Sequence, residues 1–167
     1  MSQSEFIDTE GNIDPIDIVE QIAEHHAWEF DRISNDQIAM EVVGLWRTYS
    51  VTLAWSDYDN TLRLVCTCEL GPTEKRLPKL YELLNLLNDS CWAGSFTWWE
   101  EQQLLVFRYG LLIADGQVPT PDQIDTIINT TVAAFEHYYP AVQLTLWDNK
   151  EPEEAMAITI GKTYGRA

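Results

Sequence analysis

Residues 47–55 read Arg47-Thr48-Tyr49-Ser50-Val51-Thr52-Leu53-Ala54-Trp55. The odd positions after Arg47 are large and apolar, while the even positions are small or polar. Side chains alternate across a strand, so this pattern predicts one strand with a single buried face. Working toward the N-terminus, Ile38, Met40 and Val42 alternate in the same way and stop near Gly44. Before them, Trp28 to Ile33 alternates apolar with charged residues, and Ser34-Asn35-Asp36 supplies turn chemistry. Toward the C-terminus, Ser56 to Asn60 turns the chain, and Leu62, Leu64, Cys66 and Cys68 line one face of a further strand. Four strands joined by short loops predict an antiparallel meander.

The flanks change period. Asp14-Pro15 is a helix start, and Ile16, Val19, Ile22, Ala23 and His26 recur at helical spacing, which predicts a helix over 14–27. Gly71-Pro72-Thr73 breaks the meander, with Thr73 as the expected cap. A second helix follows through Leu77, Leu80, Tyr81, Leu84, Leu87 and Cys91, and Gly94 ends it. Phe96 to Trp99 and Leu104 to Tyr109 predict two more strands joined at Glu100-Glu101-Gln102. Pro121 opens a third helix carrying Ile124, Ile127, Ile128, Val132 and Phe135, which Pro140 is expected to kink or restart. Glu151-Pro152 begins a last short helix reaching Ile160. The fold class is α+β: an antiparallel sheet of about six strands with helices packed on it, in the order α-β-β-β-β-α-β-β-α plus a C-terminal helical extension. Residues 1–13 read as a loose acidic segment, 14–160 as a single domain and 161–167 as a short tail.

Charge is the outlier of the composition. Ten Lys and Arg against 27 Asp and Glu leave −17, with −9 in residues 1–31, −3 in 32–114 and −5 in 115–167. Such a surface repels phosphate backbones, so no nucleic-acid partner is expected. Acidic ends serve solubility, or steer a basic partner. No run approaches the roughly 18 apolar residues of a membrane span, and Met1 to Phe6 lacks a signal layout, so a cytoplasmic protein with no membrane partner is expected.

Candidate chemistry fails on spacing. Cys66, Cys68 and Cys91 are an odd set with no matching imidazoles, so buried, reduced thiols are expected rather than a metal. Asp57-Tyr58-Asp59-Asn60 has the carboxylates of a calcium loop, but Leu62 stands where glycine is needed and Cys68 where glutamate is needed. His25 and His26 point about 100° apart on a helix, so one is expected inside and one in solvent. His137 reads as a partner for a helix C-terminus. There is no nucleophile elbow and no phosphate loop. No catalytic residue, cofactor or metal is assigned.

Aromatics are in excess: seven Trp, seven Tyr and five Phe. Trp98 and Trp99 are strand neighbours facing opposite ways, so Trp99 is left on the face away from Phe96 and Trp98, and Phe107 and Tyr109 share one face. Trp55, Trp98, Trp99, Phe107 and Tyr109 are the candidate partner-binding or dimer surface.

The order and local texture across about 14–157 resemble the YbjN-type domain family, whose members carry the label of bacterial sensory transduction regulators. The resemblance rests on the strand containing Trp28 and on the helix Leu77–Leu87 ending in Asn88-Asp89-Ser90. It rests also on Leu105 through Gly110, on Phe135 through Leu144 and on Pro152 through Ala155. It implies a fold similar to class I type III secretion chaperones, small acidic dimers that hold an extended client peptide, and it implies no enzyme activity. The expected function is a non-catalytic cytosolic regulator, a homodimer that binds a protein segment on its aromatic strand face. The alternative is a small-ligand sensor with a pocket between helix and sheet.

Overall fold

The alternation at Tyr49, Val51 and Leu53 is realised: all three are buried, while Thr48, Ser50 and Thr52 stay at least partly in solvent. The computed structural model describes residues 14–45 and 47–164, with side chains described as far as Gly161. In chain order these form α1 (Pro15–His25), β1 (Glu29–Ser34), β2 (Gln37–Val43), β3 (Thr48–Ser56) and β4 (Thr61–Glu69). A 3-10 turn (Glu74–Arg76) leads into α2 (Leu77–Ser90), β5 (Ser95–Trp99) and β6 (Leu104–Leu112). The chain then closes with α3 (Pro121–Leu146) and α4 (Pro152–Tyr164).

All six strands form one antiparallel sheet in the order β1-β2-β3-β4-β6-β5, so β6 inserts between the meander and β5. One face is dry. Ile38, Met40, Val51, Leu53, Leu64, Cys66, Leu105 and Phe107 lie there against Ile16, Val19, Leu80, Leu87, Ile128 and Phe135 of the helices. Each fully buried aliphatic side chain contributes about 1.5–3 kcal/mol relative to exposure, so this layer dominates the stability. The opposite face carries no helix among the described residues.

Several local expectations change on contact with the tertiary structure. In α1, Asp14 caps by accepting from the Ile16 amide at 2.9 Å, as its residue type predicts. Its inner stripe, however, takes in Ile18 and leaves His26 outside. Thr73 makes no capping bond, and Pro78 sits in the first turn of α2. Within α2, Leu83 is buried and Tyr81 faces solvent. Pro140 neither ends nor restarts α3, which runs unbroken for 26 residues. The lost bond to the Glu136 carbonyl is outweighed by burial of Phe135, Ala141, Val142 and Leu146 on either side of the proline. Helix α4 continues to Tyr164, past the expected end at Ile160. The segment 1–13 and the last three residues of the expected tail lie outside the described residues.

Candidate site at the open face and hairpin tip

Register follows from period two, and it sorts the five candidate aromatics four to one. Phe107 pairs with Phe96 and with Cys66, and Trp98 pairs with Leu105, all on the helix-covered face. Phe107 is fully buried and Trp98 is 8% exposed, so both side chains belong to the core. The Phe96 and Phe107 rings meet edge to face at 5.0 Å. Tyr109 lies opposite Leu64 on that same face and is half-buried. Trp55 faces Leu62, with its indole nitrogen donating to Asp57 Oδ1 at 2.6 Å. A single surface made of all five is therefore corrected: Trp99 alone stands on the open face, half-buried and paired with Leu104.

Around Trp99 the open face is built in cross-strand rows. Trp99, Leu104 and Glu69 make the outermost row, and Thr97, Val106, Thr67 and Ser50 make the next. Short side chains dominate, with Arg63, Arg108, Glu41 and Glu69 exposed among them. At the tip of the β5–β6 hairpin, Trp98, Trp99, Glu100, Glu101 and Gln102 line an open hollow of about 430 Å³. The Trp98 indole N–H is buried without an acceptor among the described residues. Sequence reading identifies both tryptophans and gives the two glutamates only as the connection between two strands. Their joint placement at one hollow depends on how the hairpin closes.

The β5 margin has a second feature. The amide of Phe96 donates to Asn88 Oδ1 at 2.7 Å, and the Asn88 side-chain nitrogen donates to the Phe96 carbonyl at 2.9 Å. An asparagine from α2 thus takes the place of a neighbouring strand at one residue of the edge. Backbone groups point the same way at every second residue, so Trp98 also directs its N–H and C=O outward.

The remaining titratable groups stay apart. Burial pushes the Cys66, Cys68 and Cys91 thiols up, most strongly at Cys66, so they remain protonated rather than nucleophilic. Arg47 offsets part of this at Cys68, donating to its sulfur at 2.7 Å and lying over the Tyr139 ring. Burial and the Glu136 carboxylate push Tyr49 up to about 12. His25 and His26 are both exposed, against the expectation of one inside. His26 stacks on Trp28 and bonds Asp125 at 3.0 Å. His137 packs against Tyr138 within α3, well before the helix end. No group of three or more His, Cys, Asp or Glu suited to a metal occurs among the described residues. No helix among them is long and apolar enough to cross a membrane.

With this geometry in hand, comparison with known proteins is decisive at the level of family. The family model described as "YbjN: Putative bacterial sensory transduction regulator" matches residues 15–144. The chain belongs to the YbjN family. The match takes in the whole sheet and most of α3, so it spans both the covered and the open face. Solved structures with similarity include a crystal structure of YbjN from E. coli, described as "a putative transcription regulator". That structure has 16% identity, covers 71% of this chain and 84% of its own, and gives a TM-score of 0.49. No curated protein matches the sequence. Membership thus places the protein in a family described as regulatory.

Proposed function

We propose that this YbjN-family protein is a non-catalytic cytoplasmic regulator that recognises an extended segment of another protein at the open face and margin of its sheet, around Trp99. One observation carries the reading. A tryptophan stands on the helix-free face, beside the carboxylates of Glu100 and Glu101 and a 430 Å³ hollow. Trp supplies large contact area at low entropy cost, which is why it anchors interfaces. The −17 charge favours partners with basic flanks. Three free thiols fit a reducing compartment.

The metabolite-sensor alternative draws no support from the helix–sheet layer, where Leu53, Leu64, Cys66, Phe107 and Phe135 are fully buried against one another. The proposal extends to a homodimer. Light scattering that returns the single-chain mass of 19.2 kDa removes that element and leaves segment recognition standing.

The test is capture from lysate of the parent cells by wild-type protein and by Trp99→Ala, with both forms checked for equal thermal stability. Loss of the captured protein from the variant supports the reading. An identical captured set from both would remove the Trp99 surface as the site.

A further inference from the structure

The hairpin tip combines two features that together suit one ligand chemistry. Glu100 and Glu101 bring two exposed carboxylates to the hollow that Trp99 lines with an indole. The neighbouring strand edge has its first outward pair of backbone groups closed by Asn88 and its next pair, at Trp98, directed away from the sheet.

From these we infer that the hairpin tip is a subsite for an arginine side chain of an extended protein segment, which adds as a short strand at Trp98. The inference rests on the segment-recognition reading and specifies its partner. The guanidinium stacks on the Trp99 indole and pairs with Glu100 and Glu101, because a flat, weakly hydrated cation suits both an aromatic face and carboxylates. The segment's backbone supplies an acceptor and a donor to the outward N–H and C=O of Trp98, as in strand addition to an open sheet edge. β5 suits this role: Ser95, Phe96, Thr97, Trp98 and Trp99 carry no charge and no proline, the usual devices that keep an edge from pairing. Occupation by a second copy of this chain would bring together two molecules of charge −17.

The probe is an acetylated, amidated five-residue peptide of alternating threonine and valine with one central arginine, titrated against the full chain and followed by amide and indole NMR. Expected are shifts at the Trp98 amide and at the Trp99 amide and indole N–H, with the β1 amides unmoved. The same peptide with glutamine at its centre, and the arginine peptide against Glu100→Gln/Glu101→Gln, should each bind about tenfold more weakly. Affinity for wild type should also fall as salt rises. Equal binding of the arginine and glutamine peptides overturns the subsite, as does no binding at millimolar peptide. Shifts centred away from β5 overturn it too, as does dimer-dependent broadening of the β5 amides. The two readings separate in the lysate experiment. A partner lost by Trp99→Ala but retained by the double glutamine variant sinks the arginine subsite and leaves the Trp99 surface intact.

Discussion

The two margins of the sheet solve the same problem differently. Strand β1 exposes Glu29 and Asp31, carries Arg32, and has an irregular register between Arg32 and Ser34. Arg32 is tied to Asp17 at 2.9 Å, Glu20 at 2.7 Å and Asp14 at 3.2 Å, and also donates to the carbonyls of Ser34 and Asn35. Charge and irregularity together make β1 a poor template for another strand. Strand β5 has neither device and relies on Asn88 at one residue. A guarded margin and a margin left open beyond one side-chain clamp imply that only the second is available for pairing.

The contrast can be broken most forcefully at the turn that feeds β5. Gly94 has φ +82°, and a Cβ there would collide with the Phe107 ring and approach the Arg108 carbonyl at 2.8 Å. Gly94→Ala should therefore cost about 3 kcal/mol in denaturant unfolding, combining backbone strain with overpacking. A loss under about 1 kcal/mol would mean that the α2–β5 connection yields easily.

Next in size is Asn88→Ala, which leaves the Phe96 amide and carbonyl unpaired beside a buried side chain. The expected loss is about 2 kcal/mol, with faster hydrogen exchange at the Phe96 amide. Unchanged exchange there would show that the clamp does not close the edge. Arg32→Ala tests the other margin. Its partners remain partly hydrated, so the expected loss is about 1 kcal/mol, shrinking in high salt. A loss larger than that of Asn88→Ala would reverse the ranking of the two margins.

The smallest effect lies between the margins and should leave them equal. Tyr49 is held up at about 12 in the folded chain, above the ordinary value near 10 of an unfolded tyrosine. Between those values the unfolded chain ionises first, so stability is intact below about pH 10 and declines as pH rises toward 12. Tyr49→Phe should flatten that alkaline limb in unfolding measured across pH 9–12. It also removes a buried hydroxyl that has no partner among the described residues, so its cost near neutral pH should be below about 1 kcal/mol. An unchanged alkaline limb would place the titration elsewhere, at the buried thiols.

Much of this molecule was legible as alternation. The faces of β3, β4 and β6 and the separation of Trp98 from Trp99 follow from side-chain parity, which belongs to the strand alone. The Asn88 clamp was not legible, because an asparagine near a helix end signals capping, and nothing in the chain marks the Phe96 backbone as its partner. His26 was misplaced for a related reason: helical spacing continues past the point where α1 ends, and its ring then finds Trp28 and Asp125 instead of the core. The candidate aromatics were chosen for their type, and type does not distinguish a tryptophan filling a core from one left on a surface.

What the order of residues settled by itself was local: which segments extend, which coil, and which side chains share a face, since those depend on neighbours two to four positions apart. What only the folded chain decided was adjacency. Strand β6 enters the sheet between β4 and β5, α3 runs through Pro140, and the hairpin closes so that two tryptophans and two glutamates meet at one hollow. These outcomes depend on which buried surfaces fit together at long range, and no short-range pattern encodes that.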